Sequence, residues 1–217
     1  MNPIKEFLKK IAFRYFKLGI PTYRYNIEPI QLACLINEIE RLKDIDASIC
    51  EIGVARGLTT RFIAEHISNQ NIEDMNQYYA IDTFDSFTKS DLEFEVKERG
   101  KKLTELKGFE YNSLEVWKNN FSEFSFIKLI QADCSEFDFN TISPVKLTFL
   151  YVDFYLPTKK ALENSFNATI AGGVIIVDDV REDNAYDGAH QAYMEFCKDK
   201  NIQPLLIGNK CGIIYKD

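Results

Sequence analysis

Residues 47–60 read ASICEIGVARGLTT, and residues 172–179 read GGVIIVDD. ASICEI (47–52) is a short apolar run without helical period and reads as a buried strand. GVARG (53–57) is the turn out of it. Residues 58–68 follow as a helix with Phe62, Ile63 and Ile67 on one face. VIIV (174–177) reads as a second run of the same buried kind, ending in paired aspartates.

Working outward, the alternation repeats. QYYAI (77–81), residues 126–131 and KLTFLYV (146–152) read as further strands. A helix is expected from about Pro157 to 169, broken by Gly172-Gly173, and a last helix over about 187–200. The runs 203–207 and 211–215, separated by Gly208-Asn209-Lys210, read as a hairpin. Upstream, Ile4, Phe7, Leu8, Ile11, Ala12, Tyr15 and Phe16 give residues 4–18 a helical stripe, which Gly19 and Pro21 stop. A second helix begins at about Pro29, with Leu32, Leu35, Ile36, Ile39 and Leu42 as its apolar stripe. Strands alternating with helices predict an α/β fold: a mostly parallel sheet with helices on both faces and a C-terminal antiparallel hairpin. We expect one domain over 1–217, divided into a helical arm (1–45) and a core (46–217) with a helical insertion at about 83–122.

The 217 residues are 46% hydrophobic and 13% aromatic, enough for a core and too apolar for disorder. Net charge is −7, but residues 1–24 carry +5 and the remainder −12. That balance argues against a nucleic-acid surface. The basic arm suits docking on a subunit or on the core, with an anionic membrane as the lesser expectation. Five cysteines without CxxC spacing argue against disulfides and structural zinc and fit a cytoplasmic protein. No apolar run reaches the ~18 residues of a membrane span.

In a sheet of this kind ligands sit beyond the carboxyl ends of the strands, at the reversal of strand order. Glu51-Ile-Gly53-Val-Ala-Arg-Gly57 is neither GxGxxG nor a GK[ST] phosphate loop. Glu51 suits a cationic ligand. Gly53 allows a tight turn, and Gly57 allows close approach of a ligand or of the next helix. Asp82 ends the second strand, where an acid accepts ribose hydroxyls of a nucleoside cofactor or caps a helix. Asp133 ends the third, beside an adenine edge or capping the turn Cys134-Ser135. Asp153, Asp178 and Asp179 end the fourth and fifth strands. Three converging carboxylates repel one another unless a cation joins them, and oxygen ligands suit Mg²⁺, Ca²⁺ or Mn²⁺. The bland reading is one capping Asp and another paired with Arg181.

The runs EIGVARGLTT (51–60), YAIDTFDSFT (79–88), LYVDFYLPTKKAL (150–162) and 172–196 resemble the macrocin O-methyltransferase family. The resemblance spans about residues 48–216. It implies a Rossmann-like class I methyltransferase sheet, S-adenosylmethionine as cofactor, a divalent metal (Mg²⁺ first) and a sugar or glycoside hydroxyl as acceptor. Phenolic or other small-molecule acceptors, or an inactive nucleoside-binding relative, are the alternatives. It places Glu51, Gly53, Gly57 and Thr59 at the methionine end, and Asp82 with Thr83 and Phe84 at the ribose; Val54, Asp133 and Cys134 complete the expected cofactor-binding residues. Asp178 and Asp179 match the paired metal ligands. The family carries two acids as D-x-D-x-Y, whereas here only Asp153 precedes Tyr155. Either Tyr151 replaces the first acid and Asp153 is the base, or two residues are deleted and Asp153 is a metal ligand. His190 is a second candidate base. A homo-oligomer is expected, with the apolar stripe of the basic arm buried on a neighbouring subunit. The absence of G-x-S-x-G counts against a hydrolase. The aromatic insertion over 83–122 is read as a lid over the acceptor or as a packed helical insertion.

Overall fold

The computed structural model describes residues 2–16, 18–19, 27–73, 77–182 and 185–217. Its helices are α1 (Pro3–Phe16), α2 (Pro29–Leu42), α3 (Leu58–Gln70), α4 (Lys89–Lys97), α5 (Leu114–Asn120), α6 (Tyr155–Ala168) and α7 (Gly188–Asp199). Its strands are β1 (Ser48–Ile52), β2 (Tyr78–Asp82), β3 (Ile127–Gln131), β4 (Val145–Leu150), β5 (Thr169–Val177), β6 (Leu205–Ile207) and β7 (Cys211–Tyr215). They form one sheet in the order β3-β2-β1-β4-β5-β7-β6. β1 to β5 pair in parallel, while β7 runs antiparallel to both β5 and β6.

β1 and β4 are buried along their whole length and are mostly apolar, and their charged residues find partners inside the protein: Thr60 and Tyr78 for Glu51, the Ile45 carbonyl for Lys146. One face packs Cys50, Ile52 and Leu150 under α6 and α7, with Leu162 and Tyr193 prominent. The other packs Ile49, Phe149 and Ile176 under α2 and α3, with Leu35, Ile39 and Ile63. All five cysteines are free and buried. Among the described residues no helix is long and apolar enough to cross a membrane.

Three local expectations are corrected. Gly172-Gly173 does not break the helix: α6 ends at Ala168 and the glycines lie inside β5. The pairing steps from Val145↔Thr169 to Leu147↔Val174, so the extra residues form a bulge, with Gly172 at φ +76°. β4 stops at Leu150, because Tyr151 and Val152 leave the ladder at the switch point. Thirdly, α1 buries none of its residues and so does not dock on the described core. Pro21, Lys17 and Arg24, invoked for the arm, lie outside the described residues.

α2 begins on a reciprocal cap. The Glu28 carboxylate accepts from the Gln31 backbone, and Glu28 N–H donates to Gln31 Oε1 at 2.8 Å. Glu28 also accepts from Asn209, both N–H at 3.2 Å and Nδ2 at 3.1 Å. This ties α2 to the β6–β7 turn.

Candidate active site

β1 and β4 are neighbours whose crossovers leave in opposite directions along the sheet, so a crevice opens beyond their carboxyl ends. The cleft there, open to solvent at its mouth, encloses about 770 Å³ of empty space including that mouth. Of the expected residues, Gly53, Asp82, Thr83, Asp133, Cys134 and Asp153 line it. Glu51, Val54, Gly57, Thr59, Phe84 and His190 are not among its lining residues.

The glycine loop is built by its neighbours. Gly53 has φ +82°, and a Cβ there would lie 2.0 Å from the Tyr151 carbonyl oxygen, so β1 can pass β4 this closely only as glycine. Val54 and Ala55 N–H donate to Asp82 Oδ2 at 2.7 and 3.1 Å, and Phe84 N–H donates to Oδ1 at 2.7 Å. Asp82 thereby clamps the loop and keeps an acceptor position on Oδ1 facing the cleft. Gly57 is the left-handed N-cap of α3 (φ +76°), and a Cβ there would lie 2.2 Å from Phe121 Cζ on the ring that stacks on Trp117.

Glu51 has its carboxylate engaged inside the sheet. It is 1% exposed on the α3 face of the sheet, where Oε2 accepts from Thr60 Oγ1 at 2.6 Å and from the Tyr78 hydroxyl. Burial pushes its carboxyl up to about 7, against the lowering effect of those two bonds. Phe84 packs edge-on against Trp117. Asp133 Oδ1 caps its own turn, accepting from Ser135 N–H at 2.8 Å, while the residue still borders the cleft. Burial raises the Cys134 thiol, so that side chain is an apolar wall. His190 sits on α7 with Nε2 4.0 Å from Glu182.

The insertion contains both expected components. Phe87, Thr88, Asp91, Phe109 and Asn112 line the cleft, and Phe87 stacks on Phe154 with centroids 4.1 Å apart. The rest packs. Trp117, Phe121 and Phe124 form a core with Val54 and Ala64. Glu95 Oε1 accepts from Tyr155 N–H at 2.8 Å, fastening α4 to the start of α6.

Asp153, Asp178 and Asp179 do converge. Asp153 is 8% exposed and lies close enough to Asp179 and Asp178 to feel their charges. Burial first, then the charges of Asp179 and Asp178, raise its carboxyl well above the ordinary range. Burial and Asp179 also raise Asp178, with Lys210 opposing. The point between Asp178 and Asp179 is filled by Lys210 of the β6–β7 turn, whose Nζ donates to Asp178 Oδ2 and to Asp179 Oδ1 at 3.0 Å each. Gln31 Nε2 donates to the other oxygen, Asp178 Oδ1, at 2.5 Å. Burial pulls the Lys210 ammonium down, but the two carboxylates outweigh it and hold the amine above its usual value. Tyr151 borders this group, 5.6 Å from Lys210 Nζ to its ring centroid. Among the described residues no three His, Cys, Asp or Glu side chains are arranged to hold a metal ion. The expected ligand set therefore does not fit a divalent cation: its bridging position carries an ammonium.

Sequence reading missed Lys210, taken only as a turn residue, and Gln31, taken only as helix. The signal lay in the register. Val177 pairs with Gly212 antiparallel, and continuing two residues sets Asp179 opposite Lys210, where Val180 N–H donates to Lys210 O at 2.8 Å.

No curated protein matches the chain by sequence. Among solved structures, the O-methyltransferase NovP is similar with TM-score 0.71 and 16% identity, over 90% of this chain and 83% of that one. CalS11, a calicheamicin methyltransferase, gives TM-score 0.67 and 15% identity over 98% and 85%. A putative caffeoyl-CoA O-methyltransferase from Staphylococcus aureus gives 0.57 and 16% over 100% and 93%. At these identities the likenesses show the Rossmann-like methyltransferase fold. The family model described as macrocin-O-methyltransferase (TylF) matches residues 30–216, which takes in every strand and all the residues lining the cleft. The chain belongs to the macrocin O-methyltransferase family and is an S-adenosylmethionine-dependent O-methyltransferase.

Proposed function

We propose that this chain moves the methyl group of S-adenosylmethionine to a hydroxyl of a sugar or glycoside. The observation that carries the reading is one cleft with two unlike walls meeting at Asp153. One wall (Gly53, Asp82, Asp133) offers a close backbone approach and carboxylate acceptors suited to a nucleoside. The other offers the aromatic rings of Phe87 and Phe109, set edge to face, with Phe87 backed by stacking on the buried Phe154, a surface suited to the apolar face of a sugar ring.

The donor's sulfonium already activates the methyl group, so the chain's work is alignment and proton removal. Asp82 holds the glycine loop and accepts a ribose hydroxyl. The aromatic wall aligns the acceptor oxygen with the methyl carbon. In its ionised form Asp153 takes the hydroxyl proton as the oxygen–carbon bond forms and the carbon–sulfur bond breaks, its burial beside Asp179 making that carboxylate a stronger base. His190, outside the cleft, has no part in that transfer. The test is incubation with S-adenosylmethionine and parallel panels of nucleotide sugars, glycosides and phenols, reading S-adenosylhomocysteine and methylated product by mass spectrometry. Methylated sugar supports the reading; methylation confined to phenols overturns the acceptor class.

We further propose that the working form is a homo-oligomer in which α1 lies on a second copy. α1 exposes Phe7 (61%), Leu8 (59%) and Phe16 (68%) among basic residues, opposite in sign to the −12 carried by the rest of the chain. Light scattering on the full chain and on a variant lacking residues 1–18 tests this; an unchanged mass overturns it.

A further inference from the structure

The acidic group at the ends of β4 and β5 has the composition of a divalent-cation site and the geometry of something else. Asp178 and Asp179 are adjacent, yet their carboxylates are drawn together by one ammonium 3.0 Å from each. The remaining Asp178 oxygen is taken by Gln31, itself held by the α2 cap. Lys210 is 6% exposed, and its backbone is locked to Val180 by the strand register. Tyr151, which directly follows β4, brings a phenol beside the group, next to the ammonium. A hard divalent cation needs about six oxygen ligands at ~2.0–2.6 Å. Placed here it would meet a buried ammonium at contact distance, so the two cations compete for the same pair of carboxylates.

We infer that Lys210 is the resident cation of this centre: its ammonium takes the position of a divalent metal, excludes one, and fixes Asp179 beside Asp153. This rests on the methyl-transfer reading for its purpose but not for its test. Lys210 is a positioning residue. It neutralises the carboxylates behind Asp153 and leaves Asp153 to receive the acceptor proton. Methyl transfer then proceeds with no metal at this position.

The test is Mn²⁺ binding by electron paramagnetic resonance on the full chain with S-adenosylmethionine present. The comparison is the double variant Lys210→Gly/Tyr151→Asp, which removes the ammonium and adds an oxygen ligand. Wild type should leave Mn²⁺ free at 1 mM, and the double variant should bind one Mn²⁺ at least tenfold more tightly. Two results overturn the inference. One is stoichiometric Mn²⁺ binding by wild type that Asp179→Asn abolishes. The other is a double variant that keeps wild-type cofactor affinity yet leaves Mn²⁺ free. If the double variant does not fold, Tyr151→Asp alone, which retains Lys210, must also leave Mn²⁺ free; binding there overturns the inference. Titration calorimetry with S-adenosylmethionine separates the two readings. A wild type that binds no cofactor defeats the methyltransferase reading, whatever the Mn²⁺ result.

Discussion

The Tyr78 hydroxyl on β2 donates to Glu51 Oε2 on β1, crossing between neighbouring strands inside the sheet's α3 face. The acid that opens the glycine motif is therefore tied inside the sheet as a strut under the loop. Its proton has a measurable consequence. Glu51 titrates at about 7 in the folded chain against 4.5 as its ordinary value. Between those pH values the native state holds a proton that the unfolded chain has released. Folded stability is favoured at the low end of that window and is lost as pH rises through it. Glu51→Gln keeps an acceptor for Thr60 and Tyr78 and has no such dependence. Urea unfolding at pH 4.5 and pH 8 should show wild type losing up to about 3 kcal/mol relative to the variant.

Asp82 accepts three backbone N–H groups. Asp82→Ala leaves those donors without their anionic acceptor and frees the loop. It should cost about 2 kcal/mol in urea unfolding and weaken S-adenosylmethionine at least tenfold by calorimetry. A variant of normal stability and normal affinity would show that the clamp is dispensable.

Gly57→Ala meets two obstacles, a φ of +76° and the Phe121 ring 2.2 Å from the new Cβ. Together they should destabilise by about 3 kcal/mol. Adding Phe121→Leu relieves the ring contact but not the backbone, so the double variant should recover only part of the loss. Full additivity in that cycle would mean that the two residues do not meet.

Asp153→Asn removes the proton acceptor while leaving a side chain of the same size. The kcat for methyl transfer should fall about 10²–10⁴-fold with S-adenosylmethionine affinity within threefold of wild type. His190→Ala should leave kcat within threefold, since its ring lies outside the cleft beside Glu182.

The sheet was legible because β1, β4 and most of β5 are buried on both faces and so are rich in apolar residues, with Gly53, Asp153 and Asp178 shortly past their ends. Asp82 and Asp153 could be placed for the same reason: a strand's end is visible in sequence. What could not be read was the fate of a side chain that depends on a residue far along the chain. Glu51 turns inward because Tyr78 and Thr60 wait for it. Gly57 is required by a ring 64 positions later. Gly172-Gly173 looks like a helix stop, and only the partner strand shows that it is a bulge.

Lys210 arrives on the last hairpin, and β7 inserts between β5 and β6. During synthesis the ribosome delivers Asp153, Asp178 and Asp179 well before the lysine that neutralises two of them. Until β7 pairs with β5, those strand ends carry unshielded negative charge in a space the folded chain keeps nearly dry. Completion of the hairpin is thus coupled to completion of the reaction centre: a chain that has not finished folding has not finished its chemistry.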